Sequence, residues 1–262
     1  MKNKGIIIFL ITLLLCLTIF ISTLFVLLLN GKVNLGKLQM FAKSANKEIY
    51  NNTLDDFPKN IVIDVDSANI NIKHSKDEKV HLIVYGDENK NKLDVNNTNS
   101  TLKIKYKRHN CHFMCFNIKK GKIDLFIPEF YDGDFNIKSD VGDIYLDSFI
   151  NSYLNIDADV GNVNVKDINI TKIKSDVGNV NVNNITGYFD IDVDTGDITI
   201  DYANIDRDSK INVDVGEITV NNIDDINIDA KTDVGEKNIK NNNKNSDITL
   251  KVRNDVGDIN IN

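Results

Sequence analysis

Seven times between Asp140 and Ile259 the chain repeats one phrase: Asp, then Val or Thr, then Gly, then an acidic or amide residue, and in most copies Ile or Val. The copies begin at Asp140, Asp159, Asp176, Asp194, Asp214, Asp233 and Asp255, so the steps are 19, 17, 18, 20, 19 and 22 residues. A period of this length, one supersecondary unit per step, is the signature of a solenoid.

Aligned on the Asp, the copies resolve into columns. Three places before it stand Ile137, Ile156, Ile173, Ile191, Ile211, Ala230 and Val252. Four places after it stand Ile144, Val163, Val180, Ile198, Ile218, Lys237 and Ile259, and two further on Leu146, Val165, Val182, Ile200, Val220, Ile239 and Ile261. Polar residues fill the places between, as in Ile198-Thr199-Ile200, so the period is two and each strand has one dry and one wet face. Each copy therefore reads strand, corner, strand. Gly at the corner accepts a positive φ without a Cβ penalty, and the Asp two places earlier is suited to hydrogen-bond the turn. One unit cannot bury its own apolar face, but seven stacked at ~4.8 Å make a continuous core ~34 Å tall. The fold class is all-β, a β-solenoid of about seven rungs of 17–22 residues.

The rest of the chain divides around that array. Residues 1–30 hold an uncharged, mostly apolar run, Gly5 to Leu29, whose 24 residues from Ile6 make a helix of ~36 Å, long enough to span a bilayer. The run is longer than a cleaved signal peptide's apolar stretch and lacks a clear small-residue cleavage site, so it predicts a retained anchor. Lys2 and Lys4 before it nearly balance Lys32, Lys37 and Lys43 after it; orientation rests on the long acidic β-rich segment that follows, which places the solenoid outside the cell membrane. Cys16 follows Leu13-Leu14-Leu15 rather than a small residue, against lipidation. Residues 31–60, of mixed polarity, read as a juxtamembrane linker. Residues 61–130 keep the alternation without the phrase, in Ile61-Val62-Ile63, Ile70-Asn71-Ile72, Val80 to Tyr85, Leu102 to Tyr106 and Ile123 to Ile127, and read as strands that begin and cap the stack. Within them Asp66-Ser67-Ala68-Asn69-Ile70 is a degenerate corner with Ala68 in the Gly place. Residues 131–262 are the repeat solenoid. The two prolines, Pro58 and Pro128, fall at boundaries and leave the array uninterrupted.

The seven phrases, the opening strand pair Ile70-Asn71-Ile72 to Val80-His81-Leu82 and the N-terminal apolar run resemble the bacterial putative-adhesin family of unknown function, the membrane-tethered toastrack β-solenoids, over roughly residues 61 to 262. The resemblance implies an extracytoplasmic, non-catalytic envelope protein associated with stress-response operons, and it brings no catalytic residues. Asp233-Val234-Gly235-Glu236-Lys237 departs from the pattern, since Lys237 falls in a core column and marks the sixth copy as the weak rung.

Residues 31–130 carry 17 basic and 12 acidic side chains, whereas 131–262 carry 12 basic and 26 acidic. A solenoid of that charge repels nucleic acid and anionic polymers and attracts cations or basic protein partners. Stacked at ~4.8 Å, neighbouring Asp side chains repel by ~1 kcal/mol in water before salt screening. Two readings answer this. In one, the column is structural, neutralised by Lys138, Lys174, Lys231 and Arg253 two places before the Asp and by backbone amides at the bend. In the other, Asp140, Asp159, Asp176, Asp194, Asp214, Asp233 and Asp255 form a calcium column of a calcium-dependent adhesin or scaffold. The single Gly per phrase differs from the paired glycines of the calcium-binding β-roll. No other cofactor is expected.

His109-Asn110-Cys111-His112-Phe113-Met114-Cys115 places two thiols and two imidazoles within seven residues. A Cys111–Cys115 disulfide suits an extracytoplasmic compartment; free thiols and a metal site stand as alternatives. The apolar trio Phe113, Met114 and Phe116 reads as a partner-binding tip or as a strand on the core. All four His precede residue 113 and no hydrolase phrase occurs, so the chain is read as no enzyme; a glycan-active enzyme is the remote alternative. Finally, the strand Ile259-Asn260-Ile261 has no following strand to cover it, which predicts an open edge and end-to-end self-association.

Overall fold

Each repeat corner is a glycine held at positive φ against the glycine of the neighbouring rung. In a computed structural model the structure describes residues 47–54, 56–109 and 120–262, and the regular structure among them is β throughout. The apolar run 5–29, most of the linker, Cys111, Cys115, Phe113, Met114 and Phe116 lie outside the described residues.

Two sheets meet at the line of corners. The first runs in space through Asn91–Thr98, Thr101–Arg108, Asn60–Val65, Asp134–Val141, Phe149–Val160, the second half of Val163–Val177, Phe189–Thr195, Ser209–Val215, Thr249–Val256 and Asn227–Val234. The second runs through Glu48–Leu54, Val80–Tyr85, Gly121–Ile127, Ala68–His74, Ile144–Leu146, the first half of Val163–Val177, Val180–Thr186, Ile198–Asn204, Ile218–Val220, Ile259–Ile261 and Lys237–Ile239. Repeat strands pair parallel and in register, so each sequence column becomes a ladder: Ile137 opposes Ile156, Ile156 opposes Ile173, and so on through Ile191, Ile211, Val252 and Ala230. The inward ladders are buried to within a few per cent along most of their length. Each such Ile, Val or Leu contributes about 1.5–3 kcal/mol, so the alternation of period two is the main source of cohesion. Nine places after each Asp a third apolar ladder, Phe149, Ile168, Ile185, Ala203 and Ile223, closes the core on its remaining side.

The degenerate corner at Asp66–Ile70 stacks directly on the first full phrase, for Ile63 pairs with Ile137 and Ile70 with Ile144. Beyond it the stack is finished by antiparallel strands, Asn91–Thr98 on one sheet and Val80–Tyr85 followed by Glu48–Leu54 on the other. The first of these turns back through Asn99 and Ser100, at φ 52° and 58°, the left-handed pair that a two-residue hairpin of matching twist requires. The strand Glu48–Leu54 falls in the segment read from sequence as linker.

The other end departs from expectation. The seventh copy, not the sixth, follows the fifth in space: Ser209–Val215 pairs with Thr249–Val256, which pairs in turn with Asn227–Val234. The strand Ile259–Ile261 is accordingly bonded on both sides, by Ile218–Val220 and by Lys237–Ile239, and is no open edge. The sixth copy is the outermost rung. Lys237 therefore stands in a core column without being buried, and its ammonium donates to the Ala230 carbonyl at 3.2 Å. Its neighbours Ala230 and Ile239 are only partly buried.

Two predictions follow from this stacking. A Cβ at Gly178, where φ is 147°, would lie 2.0 Å from the Gly161 carbonyl oxygen. Gly178→Ala should destabilise by about 2–3 kcal/mol or more in urea unfolding, since conformational strain and a backbone clash add. Removing residues 249–262 should abolish amide protection at Ile228, Ala230 and Val234 while Ile156 and Ile173 stay protected. Persistence of protection at 228–234 would mean that the outer strand re-pairs onto Ser209–Val215.

Candidate interaction surface along the corners

Four side-chain columns run side by side at the line of corners, and the structure gives each a different task. At the Gly column, each N–H except that of Gly235 on the outermost rung reaches a carbonyl of the next rung: Gly142 to Val160, Gly161 to Val177, Gly178 to Thr195, Gly196 to Val215, Gly216 to Val256 and Gly257 to Val234, at 2.8–3.0 Å. Without a Cβ the corners approach so closely that the backbones bond directly.

The column one place after Gly holds Asn69, Asp143, Asn162, Asn179, Asp197, Glu217, Asp258 and Glu236. Here the side-chain oxygen of one rung accepts the backbone N–H of the next: Asp143 N–H to Asn69, Asn162 to Asp143, Asn179 to Asn162, Asp197 to Asn179, Glu217 to Asp197, and Glu236 to Asp258, all at 2.8–3.0 Å. The reach suits Asn and Asp. Glu217, one methylene longer, instead accepts from the Asn260 amide at 2.7 Å, and Glu236 lies on the outermost rung. The turn bond expected from the first Asp of the phrase is made by this later residue, across rungs rather than within one.

The first Asp column faces solvent. It is headed by Lys107, whose ammonium sits 2.7 Å from both Asp64 and Asp66. Burial pushes the Asp66 carboxyl up, but hydrogen bonds from Lys107 and the Arg108 N–H, with their charges, outweigh it and hold it below the usual carboxylate range. Further along the balance reverses. Asp140 is raised by partial burial and then by Asp66 and Asp159 against the pull of Lys107 and Lys138, and Asp214 is raised by desolvation and then by Asp194, Asp255 and Asp192. Two places earlier on the strands, a second ladder alternates in sign along much of the stack: Lys105, Asp64, Lys138, Asp157, Lys174, Asp192, Asn212, Arg253, Lys231. Lys138 bridges to Asp157 at 3.3 Å, Lys174 to Asp176 at 3.6 Å and Lys231 to Asp233 at 2.5 Å. Among the described residues no group of three or more His, Cys, Asp or Glu converges to hold a metal ion.

Between the two acidic columns runs a feature that sequence reading missed. The second residue of the phrase points outward: Val141, Val160, Val177, Val215, Val256 and Val234 are between 37% and 63% exposed, and Thr195 completes the row. The available signal was parity: this place lies four residues from the core position at minus three and three from the one at plus four, so the incoming strand's pattern would turn it inward and the outgoing strand's turns it outward; the corner hides which one governs. The result is an apolar ridge seven side chains long with a carboxylate or amide on either flank.

Away from the corners, Asp77 Oδ1 lies 2.7 Å from His81 Nε2, and His81 Nδ1 lies 2.9 Å from the Thr53 hydroxyl. The order matches a hydrolytic triad, but Thr53 stands directly opposite His81 in the strand pairing, so the contact is the one cross-strand neighbours make and it ties the capping strand down.

Parallel rungs joined at glycine corners, with ladders of like residues on the outside, define a repeat protein of the β-solenoid class. The chain belongs to the Toastrack DUF4097 family, which matches residues 58–261. Solved structures of similar chains include a putative adhesin from Bacteroides fragilis NCTC 9343 (17% identity, 84% of this chain and 100% of that one, TM-score 0.44). A putative lipid binding protein from Parabacteroides distasonis ATCC 8503 (15%, 84% and 100%, TM-score 0.45) and a putative cell adhesion protein from Clostridium sporogenes ATCC 15579 (15%, 82% and 99%, TM-score 0.31) are similar at the same distance. Likenesses this remote carry no argument about function. No curated protein matches the chain.

The raised Asp214 makes a signed prediction. Its ionised form is disfavoured in the fold, so the charge opposes folding above its folded pKa, and below about pH 4 both folded and unfolded states are protonated. Asp214→Asn should raise the Tm at pH 7, and the gain should vanish toward pH 3 and shrink in high salt. In the unsubstituted chain, millimolar calcium should raise the Tm no further than sodium chloride of equal ionic strength; a larger, saturable rise would make the Asp column a metal site.

Proposed function

We propose that this chain is a non-catalytic surface-interaction domain, held at the outer face of the cell membrane by an anchor at residues 5–29, whose corner ridge docks a protein partner. The observation that carries the reading is the exposed row of Val141, Val160, Val177, Val215, Val256 and Val234 set between two acid-rich columns. Exposed apolar side chains scattered singly need no explanation, but a contiguous row is a binding feature. The flanks choose the partner's chemistry. Net charge of the repeat half is strongly negative, so the complementary surface is an apolar strip bordered by Lys or Arg. A partner of that kind would also relieve the repulsion that raises Asp140 and Asp214. Association would be fast and salt-sensitive, since charge steers the encounter, while the valines hold the complex. Membership of the toastrack family, whose resemblance implies an extracytoplasmic envelope role, supports the same reading.

Photo-crosslinking residues placed at Val177 and Val215 in cells should trap one envelope protein, and the same residue at Lys172 or Asn155 on the sheet face should not. Reversing the flanking charges at Asp159 and Asp194 to Lys should remove the adduct without unfolding the domain. Equal adducts from ridge and sheet face, or adducts indifferent to charge reversal, would overturn the proposal.

A further inference from the structure

On a different side of the coil lies an open groove of about 660 Å³ beside Ala203. Beside it the third inward ladder, otherwise Phe149, Ile168, Ile185 and Ile223, carries its smallest side chain, Ala203. Around the groove the pairing register brings Tyr202 beside Asn184 and Asn204 beside Thr186, with Asn183 and Asp224 on the rim.

Two properties of these side chains bear on what the groove can bind. At several places on the outer faces amides satisfy one another along the stack: Asn181 donates to Asn164 at 3.1 Å, Asn155 to Asn136 at 3.2 Å and Asn221 to Asp201 at 2.9 Å. In the groove, the side chains of Asn183, Asn184, Thr186, Asn204 and Asp224 take part in no hydrogen bond among the described residues. All five line the groove. The second property is Tyr202, which is 59% exposed and has no ring or cation partner among the described residues. Its register neighbours are Asn184 on the preceding rung and Asn222 beyond, so a flat aromatic face stands alone in a row of amides and acids.

We propose that this groove binds a neutral oligosaccharide. Vicinal hydroxyls are donors and acceptors at once and match paired amide and carboxylate groups, while the C–H face of a pyranose covers an exposed phenol ring. A volume within the range of small-ligand sites, left open at the ends, suits an internal stretch of an extended chain. Asp167 and Asp224 line the groove and no Lys or Arg does, so anionic polymers and nucleic acid are repelled. A polar lining also disfavours an acyl chain. The groove shares no residue with the valine ridge, so this proposal and the protein-docking reading fail separately.

The test is titration of the full chain, labelled at tyrosine, with neutral tetrasaccharides of β-1,4-glucose, α-1,4-glucose, β-1,4-xylose, β-1,4-mannose and β-1,4-N-acetylglucosamine, with a heparin tetrasaccharide as the anionic control. At least one neutral sugar should shift the Tyr202 ring signals, assigned through Tyr202→Phe, at concentrations up to about 10 mM. Tyr202→Phe should keep binding, and Tyr202→Ala should weaken it about tenfold or more with an unchanged Tm. Asn204→Ala should weaken it as well. Absence of any shift across the neutral set, tighter binding of heparin, or unchanged affinity in Tyr202→Ala would each overturn the proposal.

Discussion

The contact that organises this molecule is corner to corner, glycine against glycine. At each corner the space that a side chain would fill already holds the carbonyl of the corner before it, and one N–H per rung bonds straight through that gap. Everything else is a consequence of that contact. Parallel strands flank it because successive corners must superpose, the sheets stay in register because one misplaced corner would break the line, and unlike columns remain unlike because no residue can change places by slipping. The rungs can vary from 17 to 20 residues among the first five copies because the variation falls in the loops, away from the corner.

The same registry that builds the core also concentrates charge. Ladders of like carboxylates are unfavourable, and the stack answers them in three ways. Lys107 heads the column with two ion pairs, an adjacent ladder alternates Lys with Asp, and the acids after the glycines are engaged by backbone N–H groups rather than left facing one another. What stays uncompensated are two places in the first Asp column, where Asp140 and Asp214 are held above their ordinary range. A surface with residual electrostatic tension beside exposed valines is one that gains from being covered.

Much of this was legible in the sequence, because period and parity are translated directly into ladders. The inward columns, the strand–corner–strand unit, the degenerate corner at Asp66 to Asn69 and the weakness of the sixth copy can each be read from spacing alone. Lys237 announced that weakness. What it could not announce was the cause, that the sixth copy is the terminal rung and the seventh is wedged beneath it. Repeats made of the same residues accept one another in either order, so no local signal distinguishes the two arrangements; the 22-residue step between the two copies permits the crossover without naming it. The outward valines were hidden for a different reason. Parity breaks at the corner, so a residue there belongs to neither strand's pattern. Nor does any pattern mark the groove, whose lining is drawn from several successive rungs.

The inverted order of the last two rungs gives the stack a direction in time. A solenoid whose rungs follow sequence order can be laid down one coil after another as the chain emerges, each coil capping the last. Here the strands Asn227–Val234 and Lys237–Ile239 precede in the chain the strands that, among the described residues, they pair with, Thr249–Val256 and Ile259–Ile261. Assembly that proceeds from the N-terminal side must therefore hold one coil open until the next segment arrives to be threaded between two already formed edges. Those later residues work as a keystone. Until they seat, the fifth coil offers a bare parallel edge, and once they seat the outermost coil sets Lys237 in the place of a core residue, a charge that discourages a further rung from stacking on it.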